Sequence, residues 1–273
     1  MIANRNELFA QIQKKESFLC VGLDPDLDRI PTCCGEGVEA IENFCKDIIS
    51  KTQDHAVAYK PNLAFFEQCG SAGFAALERV VSHIPSDCMV IADAKRGDIG
   101  NTASRYADAM FNGLGADAVT VAPYMGADSV KPFLESGEGR WTILLALTSN
   151  PGAEDFEFHG EPPLFERVLD LGQSWGTVDN LMFVIGATRP ERLAAIRKRV
   201  PDHFFLVPGV GAQGGTVDSV ARVGMNDKCG LLVNSSRGIL YAGKGEDFAE
   251  RAGEAAKSLQ TEMAGALRRH GIL

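Results

Sequence analysis

The stretch Val90-Ile-Ala-Asp-Ala-Lys-Arg-Gly-Asp98 joins an apolar run to two aspartates that bracket a lysine. Because side chains two positions apart on a strand share a face, the spacing predicts that Asp93 and Lys95 point the same way. Asp98 would follow in the next turn. A surface ion pair at a strand end has the same residue types and contributes little to stability. The rest of the chain therefore has to distinguish a reaction centre from a surface pair.

Apolar strands of this kind recur along the chain and alternate with helix-sized connectors. The sequence predicts strands over residues 18–23, 56–59, 88–92, 116–122, 141–148, 181–186, 203–207 and 230–233. A final amphipathic pattern from 248 to 266 would close an outer ring of helices. Eight parallel β/α units predict an α/β protein with the (β/α)8 TIM barrel fold. An open doubly wound sheet uses the same units, but here the first strand is not followed by G-x-G-x-x-G.

Length and composition favour one soluble domain. The 273 residues contain no low-complexity linker, so we predict a single barrel domain over residues 1–273. A formal net charge of −9 argues against nucleic acid or an anionic membrane as partner, since both need a basic surface. No apolar run reaches the roughly 18 residues of a membrane span. The N-terminus lacks the apolar core of a signal peptide, and the cysteines are scattered and odd in number, so we expect reduced thiols and a cytoplasmic location.

Polar residues stand at the carboxyl ends of the predicted strands, where (β/α)8 barrels carry their active sites. Such residues also serve as helix caps, so any one of them alone is weak evidence. Because they all fall at the same end of the predicted barrel, together they favour an active site there. The candidates are Asp24, Lys60, Asp93, Lys95, Ser149, Gln213 and Arg237. The histidines are scattered without metal-ligand spacing, which gives little support to a zinc site.

A glycine-rich loop follows the seventh predicted strand. Its sequence, Pro208-Gly-Val-Gly-Ala-Gln-Gly-Gly215, allows backbone amides to approach an anion closely. The loop after the eighth strand adds Arg237, whose guanidinium is always charged and can bind two phosphate oxygens at once. Loops after strands 7 and 8 form the recurrent phosphate site of these barrels. We therefore predict phosphate binding here, with flexible turns as the alternative.

Together these motifs resemble those of the orotidine 5′-phosphate decarboxylase family. The resemblance spans the chain from Asp24 to Arg237 and is greatest toward the bacterial branch with the wording Ala-Tyr-Lys-Pro-Asn and Leu-Thr-Ser-Asn-Pro-Gly. The D-x-K-x-x-D pattern marks a superfamily, so the flanking motifs carry the narrower assignment. The matching motifs are Lys60 after the second strand, Asp93-Ala-Lys-Arg-Gly-Asp98, Ser149-Asn-Pro-Gly152, Pro208-Gly-Val-Gly-Ala-Gln213 and Ser236-Arg237.

The resemblance implies decarboxylation of orotidine 5′-monophosphate to uridine 5′-monophosphate, the last step of de novo pyrimidine synthesis, with no metal or organic cofactor. It also implies a homodimer with shared active sites, in which Asp98, together with Ile99 and Thr102, faces the ligand of the partner subunit. The catalytic charge network would consist of Lys60, Asp93, Lys95 and Asp98. The implied substrate-binding residues are Asp24 at the ribose, Ser149 at the pyrimidine, Gln213 and Arg237 at the phosphate, and in addition Pro208 and Ser236.

Three other functions are compatible with part of the pattern. A metal-dependent sugar-phosphate decarboxylase or synthase of the same superfamily needs a further carboxylate where this chain has Lys60. A Schiff-base aldolase acting through Lys95 needs an uncharged amine, which two nearby aspartates oppose. A phosphate-binding barrel without activity has no need of the charge network.

The longer connection over residues 154–180 is the least certain part of the resemblance, and its role as a closing lid is a hypothesis.

Overall fold

The computed structural model describes residues 2–186, 190–209 and 216–273. At its centre is a closed barrel of parallel strands that follow one another in chain order, with the first strand beside the eighth. This architecture confirms the predicted (β/α)8 TIM barrel. The strands are β1 Leu19–Leu23, β2 Ala58–Pro61, β3 Met89–Arg96, β4 Ala118–Val121, β5 Trp141–Leu147, β6 Leu181–Ile185, β7 Phe204–Pro208 and β8 Leu231–Ser235.

Helices cover the outside of the barrel, since each parallel strand needs a crossover connection to the next. None of the helices in the described ranges combines the length and apolar character needed to cross a membrane. The helices are α1 Arg5–Lys15, α2 Gly37–Thr52, α3 Ala64–Glu67, α4 Gly70–His83, α5 Gly100–Asp108, α6 Ala127–Leu134, α7 Ala153–Phe156, α8 Leu164–Trp175, α9 Pro190–Arg199, α10 Val217–Gly224, α11 Arg237–Leu240 and α12 Phe248–Arg269. A π-helical turn at Ala109–Gly113 follows α5.

The core of the protein is the barrel itself and the layer between its strands and helices. Every residue of β1, β2, β4 and β6 is buried. At the amino-terminal end of the barrel, the fully buried Trp141 donates a hydrogen bond from its indole nitrogen to the carbonyl oxygen of Ile2, at 3.0 Å. Because close-packed interiors deform little, this core holds the opposite ends of the strands in fixed positions.

Two strands extend further than the apolar pattern predicts. The second begins at Ala58 and continues through Lys60, and the third continues past Ala92 to Arg96. Lys60 pairs with Gly22 of β1, and β3 pairs with β4 again at Arg96, so backbone pairing rather than apolar character sets where these two strands end. Asp93 and Lys95 therefore lie within β3, and Lys60 lies within β2.

The connection over residues 154–180 contains α7 and α8, joined by a loop. Glu157, directly after α7, accepts hydrogen bonds from the backbone nitrogen and the hydroxyl of Thr148, at 2.7 and 2.6 Å. These two bonds fix the start of the connection to the end of β5. The role of this connection as a lid stays a prediction.

Candidate active site

A cavity of about 710 Å³ opens at the carboxyl ends of the strands. Its volume lies within the range of small-molecule sites. Most of the residues singled out in the sequence line it, from strands on all sides of the barrel. These are Asp24, Lys60, Asp93, Lys95, Ser149, Pro208, Ser236 and Arg237. Gln213, predicted to bind phosphate, lies outside the described residues.

The charged side chains of the cavity meet at Asp93. The ammonium of Lys60 donates to Oδ2 of Asp93 at 2.5 Å, and the ammonium of Lys95 donates to Oδ1 at 2.5 Å. The side chains of Lys60 and Asp93 are each only 8% exposed, whereas that of Lys95 is 54% exposed. Each oxygen of one buried carboxylate thus carries its own ammonium, and the more accessible ammonium faces the cavity.

The protonation states of Asp93 and Lys60 depend on two opposing effects, burial and the attraction between opposite charges. Burial by itself raises the pKa of Asp93, but the adjacent Lys60 and Lys95 outweigh it and lower the pKa to about 2. Burial likewise lowers the pKa of Lys60, yet the attraction of Asp93 and Asp24 raises it above the ordinary value of lysine. Both groups are therefore charged at neutral pH, as expected where opposite charges lie within a few ångströms.

The backbone around Lys95 departs from regular strand geometry. Lys95 has a φ of +44°, in the left-handed region that residues with a side chain seldom occupy. The pairing register between β3 and β4 shifts between Ala92 and Arg96. The contact of Lys95 with Asp93 thus arises at a bulge, not from simple alternation of side chains along β3.

The part of the cavity that the sequence predicts to bind phosphate lies where β7 and β8 end. Pro208 and Gly209 line it on one side, and Arg237, the first residue of α11, lines it on the other. The Arg237 side chain is exposed to the cavity opening. Gly209 after β7 and the Arg237 guanidinium after β8 therefore border the same space, which is an arrangement suited to an anion.

Asp98, Ile99 and Thr102 do not line this cavity. Asp98 lies just beyond β3, and its Oδ1 accepts a hydrogen bond from the backbone nitrogen of Ile99 at 2.8 Å. The side chain of Ile99 is 53% exposed. The fold thus brings three members of the predicted charge network together and leaves Asp98 outside the cavity of its own chain.

Several residues of the cavity were missed in the sequence. Asn62, Thr120 and Asn234 line it. Asn62 directly follows β2 and Asn234 lies near the end of β8, so the rule that identified Lys60 applies to both. Thr120 sits inside an apolar run, and only the structure reveals its place. Oδ1 of Asn234 and Oδ1 of Asp24 are buried without a hydrogen-bond partner among the described residues, so both can accept a hydrogen bond from a ligand.

No three histidine, cysteine or acidic side chains in the described ranges converge as metal ligands. The described side chains of the cavity supply fixed charges, hydrogen-bond donors and acceptors, and groups that can transfer a proton. Fold and cavity together define a (β/α)8 barrel enzyme with its site at the carboxyl ends of the strands.

Comparison with known proteins narrows this class. Residues 17–252 match the model of the orotidine 5′-phosphate decarboxylase / HUMPS family. A Parabacteroides distasonis protein named orotidine 5′-phosphate decarboxylase is 54% identical over 99% of this chain and 98% of its own length. A Flavobacterium johnsoniae protein of the same name is also 54% identical, over 94% of this chain and 96% of its own length. The solved structure of Leishmania donovani OMP decarboxylase superposes with a TM-score of 0.80 at 36% identity, covering 94% of this chain and 99% of that one. The chain belongs to the orotidine 5′-phosphate decarboxylase / HUMPS family.

Proposed function

We propose that the protein decarboxylates orotidine 5′-monophosphate to uridine 5′-monophosphate, the final step of de novo pyrimidine synthesis. The observation that carries the proposal is the buried carboxylate of Asp93 with one ammonium on each oxygen, at the floor of a nucleotide-sized cavity. The names of the relatives support the same reaction.

The reaction needs electrostatic stabilisation. When the bond between C6 and the carboxyl group breaks, its electron pair stays on C6 in the plane of the ring, where no ring carbonyl can delocalise it. A preorganised positive charge then lowers the barrier, because it requires no reorganisation as the negative charge develops. The ammonium of Lys95 supplies this charge and transfers one of its protons to C6, while the carboxyl group leaves as CO₂.

Asp93 and Lys60 act through this ammonium. Asp93 is charged in the free enzyme and holds the Lys95 ammonium at 2.5 Å. In the proposed complex it faces the departing carboxylate. Lys60 balances the second oxygen of Asp93 from the interior. Without Lys60, a buried carboxylate would have only one partner, and buried charges with missing partners are strongly destabilising.

The rest of the cavity binds the nucleotide. Arg237 and the loop after β7, with Pro208, bind the phosphate, and Gln213 is assigned to the same group by the family resemblance. Asp24 accepts hydrogen bonds from ribose hydroxyls, and its unpartnered Oδ1 supports this role. Ser149 contacts the pyrimidine, and Ser236 adds a further substrate contact. Binding energy from the phosphate, far from C6, orients the ring against Lys95.

The alternative is a metal-dependent sugar-phosphate decarboxylase or synthase of the same superfamily. Such enzymes need a carboxylate near the end of the second strand to hold their metal. The chain has Lys60 there, buried and bonded to Asp93. An ammonium at this position repels a divalent cation, so decarboxylation through fixed charges is favoured.

We also propose a homodimer with shared active sites. Asp98 lies three residues beyond Lys95 but outside the cavity of its own chain, so it is available to a neighbouring one. Exposed apolar side chains lie in the segments that follow β3, β4 and β5 on the same barrel face, and contiguous apolar surface marks interaction sites. They are Ile99 (53% exposed), Tyr124 (84%), Met125 (47%) and Phe156 (63%). The rings of Tyr124 and Phe156 pack edge to face.

The proposed location is the cytoplasm. All seven cysteines lie in described parts of the chain and are free thiols, five of them buried. Unpaired thiols are typical of a reducing compartment.

The direct test is turnover of orotidine 5′-monophosphate by the purified protein in excess chelator, followed by the loss of substrate absorbance and by release of CO₂. We expect full activity. Lys95→Ala should lower kcat by roughly 100- to 1000-fold or more, because removing one preorganised donor alone has an effect of this size. Lys198→Ala, which removes an exposed lysine on α9, is the matched control and should behave like the wild type. Activity that disappears with chelator and returns with Mg²⁺ would refute the proposal.

A further inference from the structure

The bulge in β3 faces a single residue of β4. Ala92 pairs with Val119 and Arg96 pairs with Val121, so three residues of β3 stand opposite Thr120 alone. Extra residues in one strand leave some backbone groups without ladder partners. Those extra residues include Asp93 and Lys95, so the irregularity lies at the centre of the charge cluster.

Thr120 supplies the missing partner. Its hydroxyl is buried, and its Oγ1 accepts a hydrogen bond from the backbone nitrogen of Lys95 at 2.9 Å. The same oxygen lies 3.2 Å from Oδ1 of Asp93 and donates to it. A backbone amide can only donate and an ionised carboxylate can only accept. The hydroxyl proton therefore points to Asp93, and the direction of both bonds is fixed.

The two bonds of Thr120 act on the two parts of the Lys95–Asp93 pair. One bond satisfies the backbone amide of Lys95, the residue with the left-handed φ of +44°. The other orients the Asp93 carboxylate, through the same oxygen that binds the Lys95 ammonium at 2.5 Å. A rotation of the carboxylate or a relaxation of the Lys95 backbone would each move the ammonium away from its present position.

We propose that Thr120 is a positioning residue for the decarboxylation. It holds the backbone of Lys95 in the left-handed conformation and aligns Asp93, so that the Lys95 ammonium is fixed where the carbanion forms. This inference rests on the proposed function. It concerns a residue on β4, outside the D-x-K-x-x-D segment, and it makes the hydroxyl, rather than the bulk of the side chain, the functional group.

Thr120→Val tests the hydroxyl, because valine keeps the shape of threonine and removes only the two hydrogen bonds. We expect kcat to fall by about 10- to 100-fold, the range associated with a displacement of about 1 Å of a reacting group. The KM for the nucleotide should change less than about threefold, since the phosphate and ribose contacts are intact. Thr120→Ser, which keeps the hydroxyl, should restore kcat to within about threefold of the wild type, although its cavity is less well filled.

Thr142→Val is the matched control. Thr142 lies on β5, the next strand, and is fully buried, but its hydroxyl has no hydrogen-bond partner among the described residues. The same substitution there removes no bond in the site, so kcat should equal that of the wild type. Thermal unfolding of all the variants separates loss of catalysis from loss of fold.

A wild-type kcat in Thr120→Val, or equal losses in Thr120→Val and Thr120→Ser, would overturn the inference, because the hydroxyl would then have no part. If the wild-type protein does not decarboxylate the nucleotide, the proposed function is wrong. Crystal structures of the variants then test whether Thr120 positions Lys95. Lys95 should leave the left-handed region, or its ammonium should leave Asp93, in Thr120→Val and not in Thr142→Val. An unchanged Lys95 in Thr120→Val would refute the role.

Discussion

Arg237 differs from the other cations of the cavity in having no ion pair within the described part of the chain. Lys60 and Lys95 both bond to Asp93. Arg237 begins α11, lines the cavity and is exposed. A guanidinium without a carboxylate partner presents its donors to an incoming anion, and its planar geometry matches two phosphate oxygens. Its contribution should therefore depend on the phosphate of the ligand.

Arg237→Ala should lower kcat/KM for the nucleotide by on the order of 2–4 kcal/mol, or roughly 30- to 1000-fold, mainly through KM. The loss for the nucleoside without phosphate should be much smaller, because that substrate has no anion to leave unpaired. Steady-state kinetics with both substrates checks this. Arg79→Ala, on the outer helix α4, is the control. Equal losses on the two substrates would remove Arg237 from the phosphate site.

His203 is a buried histidine that directly precedes β7. It is 6% exposed, and both ring nitrogens lack hydrogen-bond partners among the described residues. Burial lowers its pKa to about 4, and the nearby Arg197 acts in the same direction, whereas Asp202 opposes them. The native state therefore holds His203 neutral.

This burial predicts a loss of stability in mild acid. Between pH 6.5 and pH 4 the unfolded state binds more protons at His203 than the folded state does, so stability rises with pH in this window and is fully present above it. From pH 7.5 to pH 5, His203 should contribute about 2 kcal/mol to the loss of unfolding free energy. Urea unfolding at both pH values should give a smaller loss for His203→Phe. The exposed His159→Phe should retain the wild-type loss, and equal losses in all three proteins would contradict the prediction.

At the level of elements, β1 and β8 approach each other closely beside the cavity. A Cβ added to Gly22 on β1 would lie 1.9 Å from Oγ of Ser236 and 3.0 Å from Oδ1 of Asn234. Both are cavity residues at the end of β8. Glycine at position 22 thus allows β1 to lie close to Ser236 and Asn234, at the end of the site that we propose binds phosphate.

Gly22→Ala should displace Ser236 and the start of α11, and we expect kcat/KM to fall by about tenfold or more, since displacements near 1 Å have effects of this size. The control is Gly265→Ala in α12, where a Cβ would meet only the tip of Arg269 at 3.4 Å. That change should leave activity intact and stabilise the protein by roughly 0.5–1 kcal/mol through helix propensity. Kinetics and urea unfolding measure both effects. Unaltered kinetics in Gly22→Ala would mean that Ser236 moves without consequence.

The sequence predicted the strands better than the register in which neighbouring strands pair. The strands were visible because each is a short apolar run between turns, and their order determines the barrel. The bulge opposite Thr120 was not visible, since the pairing of β3 with β4 depends on contacts between distant parts of the chain. Alternation along a strand predicted that Asp93 and Lys95 would point the same way. Their side chains do contact each other, but through a left-handed residue that no apolar pattern reveals.

Asp98 connects the site to the proposed assembly of two chains. It lies outside the cavity that contains Lys95, and the exposed Ile99 follows it. In the proposed dimer, Lys95 serves its own site and Asp98 serves the neighbouring one. Sequence spacing alone would have assigned both residues to one site, and only the family resemblance suggested otherwise.

Mixing two inactive variants tests this division. Lys95→Ala and Asp98→Ala homodimers should each be nearly inactive. In a heterodimer of the two, one site carries both lesions and the other carries neither. For random equal mixing about half of the dimers are mixed, and each has one intact site of two, so activity should approach about a quarter of wild type. A mixture no more active than its parents, with subunit exchange verified by mass spectrometry, would assign Asp98 to its own chain's site.

The bulge at Lys95 also limits how this site can be transferred to another scaffold. If the sequence Asp-Ala-Lys-Arg is introduced into a regular barrel strand, its side chains alternate strictly and no residue has a left-handed backbone conformation. The three-to-one pairing against β4, and a hydroxyl at the position of Thr120, would have to be copied with them. The smallest structural unit that can be transferred is therefore a pair of adjacent strands in a defined register. A graft of the motif alone should give a barrel that folds but has no decarboxylase activity.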